Sequence, residues 1–171
     1  DPADVRGYKN HADVRGGTEY MKDTNEMEVV FDSRSTNEGF ARVTVASFMT
    51  QLNPTLEEVS DVKTAVSEAV TNAIIHGYEN EVHKIRIVCR TKGHKICIRI
   101  EDQGKGIENV QKAMEPLFTT KPELERSGMG FAFMEAFMDK LEVTSKPGKG
   151  TTVYMEKIIG KGREAWSTQS L

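Results

Sequence analysis

The chain has 171 residues, of which 37% are hydrophobic and 29% charged, and its formal net charge is -3. This composition excludes a disordered chain, and the small negative charge argues against direct binding of nucleic acid. Two cysteines exclude a disulfide framework, and the apolar runs are too short for a transmembrane helix. We therefore expect a cytoplasmic, single-domain protein with no nucleic-acid or membrane partner.

Both ends of the chain are polar and aperiodic. The pentapeptide ADVRG occurs at residues 3–7 and again at 12–16, a repeat too short for a solenoid unit. We interpret residues 1–20 as an expression-derived or disordered leader, although a short ordered arm is the alternative. Residues 21–159 form the predicted folded domain, and residues 160–171 form a predicted flexible tail.

The first part of the domain predicts a strand at residues 27–32 and then a helix. A capping box from Ser35 to Glu38 opens this helix, and the Asn-Pro pair at 53–54 ends it. The spacing of its larger apolar residues predicts a buried stripe of Phe40, Val43, Phe48 and Leu52.

The second helix has the strongest helical pattern in the chain. A capping box from Thr55 to Glu58 opens it, and apolar residues then recur at three- and four-residue spacing as far as His76. Gly77 stands where a left-handed capping residue ends many helices.

The rest of the domain predicts strands that flank one irregular stretch and one helix. Residues 84–90 and 96–101 alternate apolar and polar side chains, so Cys89 points inward and Cys97 outward. Residues 103–127 are expected to be irregular, either a functional lid or disordered, with a short helix at 110–114. A helix at 129–139 and strands at 141–145 and 151–158 complete an α+β fold, a two-layer sandwich of a mostly antiparallel sheet covered by helices.

Glu68 and Asn72 lie four residues apart and therefore project from one face of the second helix. A carboxylate can accept a proton from a nucleophile, and an amide oxygen is a suitable ligand for Mg²⁺. Taken alone, the pair could equally mark an ordinary boundary between the polar and apolar faces of a helix.

Two glycine-rich motifs follow. D-x-G-x-G at residues 102–106 ends a strand, with Asp102 as an acceptor for an exocyclic amine. S-G-M-G at 127–130 opens a helix, where free backbone amides favour phosphate. Each motif is weak alone, but with Glu68 and Asn72 they form a nucleotide site in chain order.

These motifs resemble those of the GHKL superfamily of ATPases and kinases, which share the Bergerat ATP-binding fold. The stretches SEAVTNAIIHGY (67–78), PLFTTKP (116–122) and ELERSGMGF (123–131) are similar, more specifically, to the anti-sigma serine kinases of spore-forming bacteria. The resemblance covers residues 21–159.

The resemblance implies ATP and Mg²⁺ as cofactors and a role for each matching residue. Glu68 matches the general base and Asn72 the Mg²⁺ ligand, while Asp102 matches the residue that binds the adenine amine. Gly104 and Gly106 match the glycines that form the floor beneath the adenine base in the family.

Further matches lie around the phosphates and the base. The phosphate-binding stretch corresponds to Ser127, Gly128, Met129 and Gly130. Thr151 matches the threonine that helps to hold adenine, directly or through water. Arg126 is the candidate for contact with the terminal phosphate, with Lys121 as a weaker one, and either is alternatively a solvated charge.

The resemblance also implies protein partners. The family inhibits the sporulation factor sigma F and phosphorylates a serine on a STAS-domain anti-anti-sigma protein, and Arg42 matches an arginine used in both contacts, although it is alternatively a solvated charge. The family is a homodimer through its first strand and helix, where Phe31 or Phe40 serves either the dimer or the core. His76 is expected to be structural.

One alternative function is an ATP-gated module that sequesters sigma without transferring phosphate. The catalytic domain of a histidine kinase is a further alternative, but it predicts a helical hairpin with a phospho-accepting histidine. A eukaryotic-type protein kinase is excluded because the V-A-I-K, H-R-D and D-F-G elements do not occur.

Overall fold

A computed structural model describes residues 23–115 and 130–160. Within these ranges the strands are β1 Thr24–Asp32, β2 Lys84–Lys92, β3 Lys95–Asp102, β4 Lys140–Ser145 and β5 Thr151–Ile158. The α-helices are α1 Asn37–Met49, α2 Leu56–Asn72, α3 Val110–Ala113 and α4 Gly130–Phe137. The predicted leader and residues 161–171 of the predicted tail lie outside the described residues.

The strands form one antiparallel sheet in the order β1-β2-β3-β5-β4. The predicted alternation is confirmed, because one face of the sheet carries the fully or almost fully buried Ile85, Ile87, Ile96, Ile98 and Ile100. Cys89 is buried on that face and Cys97 is half-buried on the other, and neither forms a disulfide. Helices cover the isoleucine face, so the predicted α+β sandwich is confirmed.

Helix α2 is the central element of the helical layer. Its capping box is formed as predicted: Glu58 N donates to Thr55 Oγ1 over 3.1 Å, and Thr55 N donates to Glu58 Oε1 over 2.9 Å. The other carboxylate oxygen of Glu58 accepts from Gly160 N at 2.8 Å, which ties the chain after β5 to the start of α2. The core side of α2 consists of Val62, Ala65, Val66, Ala69 and Val70.

Helix α1 differs from its prediction at both its start and its buried face. Glu38 N donates to the backbone carbonyl of Ser35 rather than to its hydroxyl, so the predicted capping box is wrong. Phe40 and Val43, predicted as core, are 49% and 58% exposed. The buried face is instead Ala41, Val45 and Met49, with Phe48 and Leu52 partly buried beside it.

The end of α2 also departs from the prediction. The α-helix stops at Asn72, and residues 73–77 form a π-helical turn in which Tyr78 N donates to Ala73 O at 2.9 Å. Gly77 does not adopt the left-handed conformation; Glu79 and Asn80, with φ of 51° and 64°, adopt it instead. The wide turn moves the chain sideways toward the end of β3, and such turns recur at functional sites.

Across residues 23–115 and 130–160, no helix combines the length and apolarity that crossing a bilayer requires. Helix α3 agrees with the short helix predicted at 110–114, and α4 lies within the helix predicted at 129–139. The inward positions are as predicted: Met134 on α4 and Met138 directly after it are buried, and Phe131 packs against the core.

Candidate nucleotide-binding site

A cavity of about 640 Å³ lies between the carboxyl-terminal part of α2, the end of β3 and the start of α4. This volume falls within the range of small-molecule sites. Residues that the sequence motifs singled out separately all line it: Asn72, Asp102, Gly106, Gly130 and Thr151. The structure therefore brings one residue or more from each motif to a single place.

Asp102 is the last residue of β3 and is only 7% exposed. Burial raises the pKa of its carboxyl group, while hydrogen bonds from the backbone amides of Gly104 and Thr151 oppose that rise. Gly104 N donates to Asp102 Oδ1 over 2.9 Å. A poorly hydrated acceptor on the wall of a cavity gains from a ligand that donates a hydrogen bond, as the amino group of adenine does.

Small and branched apolar side chains surround this acceptor. The apolar part of the cavity wall includes Ala69, Ala73, Ile100, Ile107 and Val153. Alanines on α2 leave room between helix and sheet, and the branched residues provide flat contact area. This combination of apolar walls with one acceptor at the end suits a planar aromatic base.

Glycines allow the backbone to come close around Asp102. A Cβ on Gly104 would overlap the carbonyl group of Gly77, where Lys105 N also donates to Gly77 O at 3.0 Å. Gly104 therefore supports the site from behind rather than lining it, because its contact is with the π-helical turn. Gly106, with φ of 75°, lies against the carbonyl of Lys146 in the turn between β4 and β5.

At the other end of the cavity, α2 meets the first residue of α4. A Cβ placed on Gly130 would lie 3.2 Å from Glu68 Oε2 and 3.1 Å from Asn72 Nδ2. The carboxylate and the amide therefore lie side by side at the amino terminus of a helix, as their four-residue spacing predicts. Because Gly130 has no side chain, the space between it and the side chains of Glu68 and Asn72 stays open. This open space fits a site for phosphate and a cation at the end of the cavity opposite Asp102.

Comparison with known proteins shows the family of this chain. A family description, "Histidine kinase-like ATPase domain", matches residues 31–157. The anti-sigma F factor of Thermoanaerobacter sp. (strain X514) is 59% identical over 143 residues, which are 84% of this chain and 100% of the relative. That of Oceanobacillus iheyensis is 56% identical over 144 residues, or 84% and 99% of the two chains. The chain belongs to the anti-sigma F factor family.

A solved structure supports the fold of this family. The RsbU and RsbW domains of a Mycobacterium tuberculosis protein match with a TM-score of 0.58 at 18% identity, over 79% of this chain and 32% of that one. The likeness shows the histidine-kinase-like, or GHKL, fold. An ATPase domain binds ATP, and the cavity lined by Asp102 and Gly130 lies within the residues that match this domain.

Some predicted site residues are not brought to the cavity or lie beyond the described residues. Arg42 lies on α1, 43% exposed in its side chain, and pairs with Glu38 at 3.8 Å rather than facing the cavity. Outside the described residues are Lys121, Arg126, Ser127, Gly128 and Met129. His76 lines the cavity wall at the end of α2.

Ser145 is a residue of the site that the motifs missed. Its Oγ accepts from Ile107 N at 2.8 Å and lies 2.9 Å from both Gly150 O and Thr151 Oγ1. It therefore connects the loop after β3 to the hairpin that carries Thr151. The signal was present in the hairpin pairing, because Ser145 is the direct partner of Thr151 in the β4–β5 register.

Tyr78 is a second missed residue. Its hydroxyl accepts from Gln103 N at 2.7 Å and donates to the carbonyl of Lys84, so it joins the end of β3 to the start of β2. Burial raises the pKa of this hydroxyl. No local sequence pattern predicts that a tyrosine after a helix will bridge two strands through its hydroxyl. The sequence therefore held no signal for the role of Tyr78.

Proposed function

We propose that this chain sequesters the sporulation factor sigma F and, with ATP and Mg²⁺, phosphorylates a serine on a STAS-domain anti-anti-sigma protein. The observation that carries the proposal is the meeting of Glu68 and Asn72 with Gly130 at one end of a cavity that has Asp102 at the other. A partner involved in transcription supports a cytoplasmic location.

The cavity supports one orientation of ATP. The adenine amine donates to Asp102 between the apolar walls, beside Thr151, and the phosphates extend toward Gly130. The amides of residues 127–130 and a charge from Arg126 or Lys121 are proposed to bind the phosphates. The aromatic and anionic parts of the nucleotide thus each meet a matching environment.

The residues present fit a magnesium ion at the phosphate end. Asn72 would hold it through its amide oxygen, and the ion supplies charge neutralisation to the phosphates when bound. The part of the chain that the structure describes holds no group of three or more histidine, cysteine or acidic side chains suited to a metal. A single amide ligand is consistent with Mg²⁺, which is often shared with substrate phosphates.

Glu68 is proposed as the general base. The serine hydroxyl of the substrate attacks the terminal phosphorus of ATP, the new O–P bond forms as the bond to the ADP oxygen breaks, and Glu68 accepts the hydroxyl proton. Glu68 lies beside Gly130, and from there its carboxylate can reach a serine hydroxyl that enters next to the proposed phosphate site.

Helix α1 and strand β1 are proposed to provide the protein contacts. An open groove of about 700 Å³ on this side is lined by the apolar Met27, Phe40, Val43 and Phe48, and we assign it to a second copy of the chain. Phe31 belongs to the core and meets Phe40 edge to face at 5.9 Å, so of the two phenylalanines Phe40 is the one placed for dimer contact. Arg42 is proposed to contact both sigma F and the STAS-domain protein.

The test incubates the wild-type protein with Mg-ATP and a purified STAS-domain partner and measures the partner's intact mass. A gain of one phosphoryl group on a serine is expected, with Glu68→Gln inactive and Glu57→Gln, in the exposed first turn of α2, as active as the wild type. Binding of sigma F with ATP or ADP is measured in parallel. No phosphoryl transfer together with ATP-dependent binding of sigma would instead establish the ATP-gated module.

A further inference from the structure

Lys157 lies on the helix-facing side of β5, which is an unusual place for a lysine. Its side chain is only 13% exposed. The ammonium group donates to the backbone carbonyl of Phe137 over 2.6 Å and lies 3.6 Å from Asp61 Oδ2. Lysines are rarely buried this far unless they are paired, so the two contacts account for its position.

The contact to Phe137 is at the carboxyl end of α4. This end carries unpaired carbonyl groups and the negative end of the helix dipole, both of which a lysine stabilises. Two further hydrogen bonds join the same end to β5: Asp139 N donates to Glu156 O at 2.8 Å, and Ile158 N donates to the side-chain oxygen Asp139 Oδ2 at 2.7 Å. The carboxyl end of α4 is therefore anchored to the sheet.

The contact to Asp61 links this anchor to α2. On α2, one face carries Asp61, Ala65, Glu68 and Asn72, at spacings of four, three and four residues. Ala65 is fully buried, which lets another helix lie close along this face.

Helix α4 runs along that face in the direction opposite to α2. Its first residue, Gly130, meets Glu68 and Asn72, while its last, Phe137, lies at the Lys157–Asp61 pair. The interval from Gly130 to Phe137 equals the interval from Asp61 to Glu68, about 10 Å at the helical rise per residue. A shift of α4 at one end would therefore move Gly130 relative to Glu68 at the other.

We infer that Lys157 and Asp61 are positioning residues that set the axial register of α4 against α2, and thereby place Gly130 beside Glu68 and Asn72 for phosphate. The inference rests on the proposed function, because that function assigns the Gly130 end of the cavity to the phosphates of ATP. Neither residue lines the cavity. Loss of the pair should disturb the phosphate end and leave the adenine end at Asp102 intact.

The experiment uses the full chain with Lys157→Met, Asp61→Asn, the double variant and Lys157→Arg. Lys95→Met is the matched control, because Lys95 pairs with Glu156 at 3.4 Å on the opposite face of the same sheet. The readouts are the dissociation constants of AMP, ADP and a non-hydrolysable ATP analogue, the kcat and KM of phosphoryl transfer, and the melting temperature.

Misplacement of about 1 Å is expected to lower kcat about 10- to 100-fold in Lys157→Met. The preference for the ATP analogue over AMP should also fall, while AMP affinity stays at the wild-type value. Asp61→Asn should show the same pattern, the double variant should lose no more than the worse single variant, and Lys157→Arg should recover most of the rate. Lys95→Met should change neither kcat nor nucleotide preference.

The outcomes separate the two proposals. If wild-type protein transfers phosphate but Lys157→Met matches Lys95→Met, or weakens all three nucleotides equally, the positioning role is overturned and the kinase stands. If wild-type protein transfers none, yet Lys157→Met and Asp61→Asn lose the preference for the ATP analogue and Lys95→Met keeps it, the kinase is overturned and the positioning role stands. A wild-type protein that binds none of the nucleotides overturns both.

Discussion

Gly77 packs directly against the carboxylate of Asp102: a Cβ added to Gly77 would lie 2.9 Å from Asp102 Oδ1. The contact joins the π-helical turn after α2 to the end of β3. It also explains why Gly77 is a glycine although its φ angle is not left-handed. The space beside the carboxylate, rather than backbone freedom, determines the residue at this position.

Gly77→Ala is expected to weaken adenine-nucleotide binding about tenfold, because the added methyl group must push the buried carboxylate or the turn aside. The measurement is the ADP dissociation constant by calorimetry. Gly93→Asn, in the β2–β3 turn where a Cβ meets nothing within 4 Å, is the control and should bind ADP normally. An ADP affinity unchanged in Gly77→Ala would mean that this contact does not shape the base site.

Asp102→Asn should separate stability from function. Removal of the carboxylate that accepts from adenine is expected to weaken ATP binding by about 1–3 kcal/mol. The nucleotide-free variant should nevertheless be at least as stable as the wild type at neutral pH, since it no longer buries a charge. Chemical denaturation without nucleotide, beside ATP titrations, checks both parts, and a loss of stability at pH 7 would contradict the second.

Asp102→Asn should also change how the free energy of unfolding depends on pH. Burial raises the pKa of Asp102 above its ordinary 3.8, so between that value and the raised pKa the folded state binds more protons than the unfolded state. The contribution of this residue to the free energy of unfolding therefore falls as pH increases through that window. Denaturation curves at several pH values should show this decline in the wild type and its absence in Asp102→Asn.

Val43→Glu should disrupt the proposed dimer. Val43 is 58% exposed in the groove beside Phe40, and burial of an unpaired charge there is expected to weaken self-association on the order of 100-fold. Sedimentation equilibrium over a range of concentrations measures this. Val82→Glu, at an apolar residue 45% exposed outside the groove, is the control. Equal self-association of both variants would place the dimer contact elsewhere.

Arg42→Glu should weaken binding of both protein partners and leave ATP affinity unchanged, because Arg42 lies on α1 outside the cavity. Its own ion pair with Glu38 is solvent-exposed and holds it only weakly. Arg90→Glu is the matched control, since it reverses the same charge in an exposed pair with Glu26 on the sheet. Partner titrations that give identical affinities for the two variants would assign docking to another surface.

The sequence alone predicts the features that depend on near neighbours. Alternation assigned Cys89 to the inner face and Cys97 to the outer one, and the spacing of Thr55 and Glu58 predicted a capping box that forms. In the same way, the four-residue interval from Glu68 to Asn72 placed both side chains on one face of a helix. Each of these needs only the repeat of a strand or a helix.

The tertiary structure alone determines what depends on contacts between distant segments. Phe40 and Val43 have the spacing of a core face, but the face of α1 that is buried carries Ala41, Val45 and Met49 instead. Gly77 resembles a helix cap, yet its role comes from Asp102 on another strand. Tyr78 carries no local signal, because the two strands that its hydroxyl joins meet only in the folded sheet. Helical and strand periodicity shows which residues share a face, whereas which face is buried and what it meets is determined by the packing of the whole domain.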